Sequence, residues 1–208
     1  TSGSYELYGG TIANGTIAVG ALGFKSSGSY LDHATLSDNL TLGSSTSVHF
    51  TNGAGFTGTT GTFGSNAGIY WQQVGTLANK SLSLGSGAYL YVYGANNALT
   101  LASTTSVSGS TNIYTDGSAG NALTNQGTIT NTSGSSQINA HTLANTGTIT
   151  NTAANNYIVI GSTANGYNTS NAGGNIVVNG TNASIYLDGN VTATGGTLTA
   201  TSGQFIFR

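Results

Sequence analysis

The 208-residue sequence contains no proline, no cysteine and no methionine, and only 4% of it is charged. Each absence removes a class of answer. Without cysteine there is no disulfide framework, no thiolate metal site and no thiol nucleophile. Without proline every backbone N–H can donate, which suits a chain whose strands are nearly all paired. The three basic residues, Lys25, Lys80 and Arg208, are too few to neutralise a nucleic acid backbone or to form a polybasic membrane anchor. No apolar run approaches the ~18 residues of a transmembrane helix. The best helix formers, such as Glu, Lys, Arg, Gln and Met, are scarce or missing, so helices are not expected. The lack of an initiator Met and of a signal peptide is expected of a mature form or a fragment.

What is present is a neutral polar chain with a substantial apolar fraction. There are 33 Gly, 11 Tyr and 6 Phe, 37% of residues are hydrophobic, and the net charge is −2. Disordered segments are poor in apolar residues and rich in charge, so this chain is expected to fold. Short alternating segments recur, each ended by Gly or Asn: LTLGS, YLYVYG, YIVIG, NIVVNG, SIYLDG, QFIF. Period-two alternation closed by turn residues reads as strands.

The spacing of these segments selects the architecture. LTNQGTITNT (Leu123 to Thr132) returns as LANTGTITNT (Leu143 to Thr152), identical at eight of ten positions and one period later. LTLGSSTSV (Leu40 to Val48) returns as LTLASTTSV (Leu99 to Val107), close to three periods on. ATLSDNLTLGS (Ala34 to Ser44) returns as GTLANKSLSLGS (Gly75 to Ser86), two periods on. A fixed period of this size marks a solenoid. The reading is an all-β, right-handed parallel β-helix of about ten coils with about 20 residues per coil, a rod on the order of 50 Å long. It occupies 1–208 as one domain, with 51–70 too irregular for plain rungs and read as an insertion. In register, Leu123 lies on Leu143 and Ile129 on Ile149 as aliphatic stacks. Asn125 lies on Asn145 and Asn131 on Asn151 as amide ladders. Charge is scarce for the same reason: an ionised residue repeated each coil would meet its copy about 5 Å away.

The rungs LTNQGTITNT and LANTGTITNT resemble those of bacterial secreted β-helical proteins, the autotransporter passengers and filamentous-haemagglutinin-like adhesins. The resemblance is specific over about 120–155 and compositional elsewhere. It implies an extracellular, cell-surface β-helix used for adhesion, aggregation or fibre building, and it supplies no catalytic residues.

Candidate sites follow from the same register. Tyr89, Tyr91 and Tyr93 alternate with Leu90 and Val92. Tyr70 precedes Tyr91, and Tyr93 precedes Tyr114, by close to one period. With Trp71 close by, these predict an exposed aromatic patch for sugars or a partner, unless the 51–70 insertion covers it. Outward Thr128, Thr130 and Thr132 over Thr148, Thr150 and Thr152 suggest an ice-binding face, but only two coils show the pattern in sequence. Five acids are dispersed; the densest ionisable patch, Asp32, His33 and Asp38 with Lys25 and His49 nearby, reads as a solvated turn. No catalytic residue, cofactor or metal site is expected, and the chain is not expected to be an enzyme. The end segments TSGSYELYGG and TSGQFIFR carry no helical or charged cap, which suggests end-to-end stacking of copies or flanking coils of a longer rod. The leading expectation is a structural or adhesive rod or fibre. A glycan- or ice-binding module is the alternative, and a glycan-degrading enzyme resting on Asp32 and Asp38 ranks last.

Overall fold

A computed structural model describes residues 5–18, 20, 22–164 and 166–208; residues 1–4, in the first end segment, and Val19, Ala21 and Asn165 lie outside the described residues. Among the described residues it holds 26 strands and no helix. Successive strands turn through three faces, and each face is a stack of parallel strands. The first face runs from Tyr5–Leu7 to Thr197–Ala200, ten strands in all. The second runs from the start of Gly10–Ile17 to Gly203–Phe207. Its union with the third face arises where Ala183–Thr192 passes straight through a corner and pairs with strands of both. The chain is therefore an all-β parallel solenoid of about ten coils. Its step averages about 21 residues. Individual steps differ widely, from the short one between Tyr5 and Leu22 to the long one between Thr148 and Asn175.

Alternation along each strand turns every second side chain inward, and stacking lines these up as columns. One inner column of the second face reads Val48, Ile69, Leu90, Ile113, Ile138, Ile160 and Leu187, all buried. Burial of each such side chain contributes about 1.5–3 kcal/mol. Ile129 lies opposite Ile149 and Leu123 opposite Leu143, as the repeated phrase requires. Asn125 Nδ2 donates to Asn145 Oδ1 at 2.7 Å, and Asn145 Nδ2 to Asn171 Oδ1 at 2.6 Å. Asn131 Nδ2 donates to Asn151 Oδ1 at 3.1 Å. The same amides tie down corner carbonyls, Asn131 to Gly134 at 2.8 Å and Asn151 to Asn156 at 3.2 Å, so each buried amide is bonded along the axis and across the turn. Glycine in the phrase has its own reason. A Cβ on Gly147 would drive into the backbone of Gln126 and Gly127 in the coil below, so this corner closes only without a side chain.

Two sequence readings change and one holds. The stretch 51–70 carries the strands Gly55–Phe56, Thr60–Phe63 and Gly68–Gln72, all paired in register with the coil before them. Gly53, Gly58 and Gly64 fall in the corners between these strands, and Gly55, Gly61 and Gly68 lie within them, so the stretch is ordinary rungs and not an insertion. The three-period repeat does not stack: Leu40–Leu42 is in the first face, whereas Ala98–Leu101 is in the third. The shared phrase encodes a local corner, in which Thr46 N–H donates to Gly43 O and Thr105 N–H to Ala102 O. The two-period repeat does stack, since Leu40, Gly61 and Leu82 share one column.

The third face also has a break. Among the described residues Gly55–Phe56 pairs only with Ser29–Leu36, and Val74–Leu77 only with Ala98–Leu101, so the ladder stops between them.

Candidate functional site

Register on the second face superimposes Tyr30, His49, Tyr70, Tyr91 and Tyr114, one per coil. All five point outward from strands whose alternate residues are buried. His49 is stacked between Tyr30 and Tyr70, with ring centroids 4.1 and 4.3 Å apart and planes inclined by 19° and 5°. Higher up the rings tilt: Tyr70 and Tyr91 are 5.5 Å apart at 51°, Tyr91 and Tyr114 4.9 Å apart at 62°. Such pairs contribute about 0.5–1.5 kcal/mol each beyond area burial. The sequence pattern finds the Tyr70, Tyr91 and Tyr114 rungs but misses Tyr30 and His49, which carry the same signal by standing successively one coil below Tyr70.

Tyr93 is not in the column. It stands at the corner beyond the strand, 42% exposed, edge-on to Tyr70 at 5.8 Å and 84°. It therefore does not stack on Tyr114 as the spacing predicts. Trp71 faces the interior and is buried, its Nε1–H donating to Ala98 O at 3.0 Å. Tyr89 lies flat over Gly68, where a Cβ would collide with its ring. Burial, then the Tyr70 hydroxyl beside it, raises the Tyr89 phenol above its usual range, and burial also raises Tyr91 and Tyr114. These phenols therefore stay protonated. Burial lowers His49, against the bond of its Nδ1 to Gln72 Oε1 at 2.7 Å, so its neutral ring is favoured.

A shallow groove of about 430 Å³ opens along this column, lined by Ser47, His49, Tyr70, Tyr91 and Tyr93. The lower rings cover one another face to face and the upper ones meet at an angle, so the groove offers ring edges and hydroxyls, with Tyr93 exposed beside them.

The acids are separated. Asp32 accepts from Asn52 Nδ2 at 2.7 Å, and this bond, with those from His33 and Thr51, holds its carboxyl below the usual range. His33 occupies the corner after it with φ of 51°. Asp38, at the opposite corner, accepts from Gly20 N–H at 2.8 Å. Burial opposes ionisation of Asp116, but the N–H groups of Ser118 and Gly94 and the Asn121 amide outweigh it and hold the carboxyl low. Each carboxylate clips one coil or corner to another. Among the described residues no three His, Cys, Asp or Glu converge on a metal-sized site.

The first face presents something the sequence conceals. Its outward positions read Thr60/Thr62, Ser81/Ser83, Ser106/Ser108, Thr128/Thr130 and Thr148/Thr150 in five consecutive coils. Asn175/Val177 interrupt the array and Thr197/Thr199 resume it. Coil lengths vary here, the step from Thr148 to Asn175 being longer than that from Thr128 to Thr148. Only the equal-length TITN pair is therefore visible as a repeat. The hydroxyls form an uncharged grid, about 4.8 Å between strands and about 6.6 Å along each strand.

No family model, curated protein or solved structure matches the chain.

Proposed function

We propose that this protein is a non-catalytic structural and adhesive solenoid, a stiff extracellular rod at a bacterial cell surface that makes weak, repeated contacts along its faces. The observation that supports this most is the continuity of its columns. Aliphatic, amide and aromatic side chains repeat in register from coil to coil, and every carboxylate described above serves as a clip between backbone segments. A rod built this way resists bending, and its neutral hydroxyl and phenol surface suits polyvalent contact with neutral glycans. Electron microscopy and bead retention test it together. Rods that associate with one another and are held on cell-wall polysaccharide support the reading. Separate monomers at high concentration that no polysaccharide retains overturn it.

A second reading rests on the hydroxyl grid. A flat, uncharged array repeating in two directions is suited to ordering water against a crystal lattice, so the first face is proposed as an ice-binding surface. Thr130→Lys with Thr150→Lys places two charges at its centre. Inhibition of ice recrystallisation by the native chain and its loss in the double variant support this reading; a native chain without activity removes it.

A further inference from the structure

Of the three basic side chains, two are neutralised within the fold. Lys25 Nζ lies 3.1 Å from Glu6, and Arg208 grips Asp188 with contacts of 2.8 and 2.9 Å. Lys80 differs: among the described residues no carboxylate lies within 4.0 Å of it. Its ammonium bridges two coils, donating to Gly58 O at 2.6 Å and Thr57 O at 3.3 Å, and sits 4.5 Å from the centre of the Phe56 ring. An ammonium has three N–H donors, so one remains. Burial lowers the Lys80 pKa, the signature of a cation short of compensation.

Lys80 stands at one end of the break in the third face. There a groove of about 370 Å³ opens between Gly55–Phe56 and Val74–Leu77, at the lower end of the range of small-ligand clefts. Gln73 spans the break where ladder bonds are missing, accepting from Gly53 N–H at 2.7 Å and donating to Ala54 O at 2.9 Å. Phe56 and Trp71 line the groove with Thr35 and Thr76, whose side chains are neutral. We propose that this groove binds one acidic sugar, a uronate residue of a polysaccharide, with Lys80 taking its carboxylate and Gln73, Thr35 and Thr76 facing its hydroxyls. A single cation among neutral hydrogen-bonding groups matches a ligand with one acid amid many hydroxyls. A polyphosphate or an acidic peptide would need several cations, which this surface does not have.

The test is calorimetric titration of the full chain with a galacturonate trimer and with its methyl ester. The ester keeps every hydroxyl and removes the charge. The trimer is expected to bind and the ester to bind at least about tenfold more weakly, the loss appropriate to one charge-assisted hydrogen bond. Lys80→Gln should weaken the trimer by a similar factor, while Lys80→Arg restores most of it. Because Lys80 also clips two coils together, thermal melting of each variant is recorded alongside. Lost binding in Lys80→Gln with an intact transition supports the site. Equal binding of ester and acid, retained binding in Lys80→Gln, or no binding by the folded native chain overturns it. None of these outcomes depends on the adhesive or ice-binding readings, which concern the second and first faces.

Discussion

The lower and upper coils solve one packing problem in two ways. At the inner position beside the first corner, the column reads Phe24, Leu42, Phe63 and Leu84, passes Gly109, and continues as Asn131 and Asn151. In the third face Leu77 and Leu101 give way to Asn125, Asn145 and Asn171. Below, a corner is filled by a large apolar group and its backbone bonds are made locally. Above, a buried amide fills it, bonding both to its copy and to the corner carbonyl. Amides permit tighter corners because they satisfy backbone groups that would otherwise be stranded, but they work only in runs, since an isolated buried amide loses its axial partner. The outer surface changes at the same level: the aromatic column ends at Tyr114, and Asn139 follows in its place.

If run length is what matters, an amide in the apolar half should be costly. Leu84 is buried between Phe63 and Gly109, neither of which has a side chain that can hydrogen-bond an amide. Leu84→Asn is expected to destabilise the chain by about 4 kcal/mol, from lost apolar burial and an unsatisfied amide. Urea unfolding gives the figure; a cost near about 1 kcal/mol, the size of a single net hydrogen bond, would mean that the two halves tolerate either filling.

The junction offers the sharper contrast. Asn125 Oδ1, at the foot of its ladder, is buried without a partner and faces Leu101 directly below. Leu101→Asn removes the same apolar group as Leu84→Asn, yet its Nδ2 can donate to that oxygen and lengthen the ladder by one rung. Its cost is expected at about 2 kcal/mol, half that of Leu84→Asn. Equal costs for the two variants would deny the amide run any cooperative value.

Where coils have equal length, the sequence displays the structure. TITNT, repeated exactly one coil apart, discloses the Ile129 and Ile149 column and both amide ladders, because corner, strand and ladder recur together. Unequal coils hide it. The hydroxyl grid needs register across steps as different as Thr128 to Thr148 and Thr148 to Asn175. The aromatic column mixes Tyr with His49, so neither is a repeat in the string. The echo of Leu40 to Val48 at Leu99 to Val107 misleads for the converse reason: one corner motif serves two different corners. Trp71 reads as outward because it adjoins Tyr70, although strand alternation turns adjacent residues to opposite sides. The groove beneath Lys80 has no sequence signal, since it arises from a ladder that fails to close.

The smallest effect expected is also confined to one half. His49 is the one titratable imidazole in the aromatic column, flanked by Tyr30, Tyr70 and Gln72. Burial lowers its pKa in the fold, so the unfolded chain takes up a proton first as pH falls. Its contribution is fully present above the unfolded value of about 6.5 and is lost progressively as pH drops from there toward the lowered folded value. The depressed carboxylates Asp32 and Asp116 lose their contributions only below about pH 4, outside this window. Hydrogen exchange at pH 7 and pH 5 separates the halves: once corrected for intrinsic rates, protection should fall in the strands Ser47–Thr51 and Gly68–Gln72 and hold in Thr128–Asn131 and Thr148–Asn151. His49→Phe keeps a ring in the stack and removes the proton, so it should abolish the difference. A uniform loss of protection along the rod would mean that its coils open together and that the two fillings, however unlike, form a single cooperative unit.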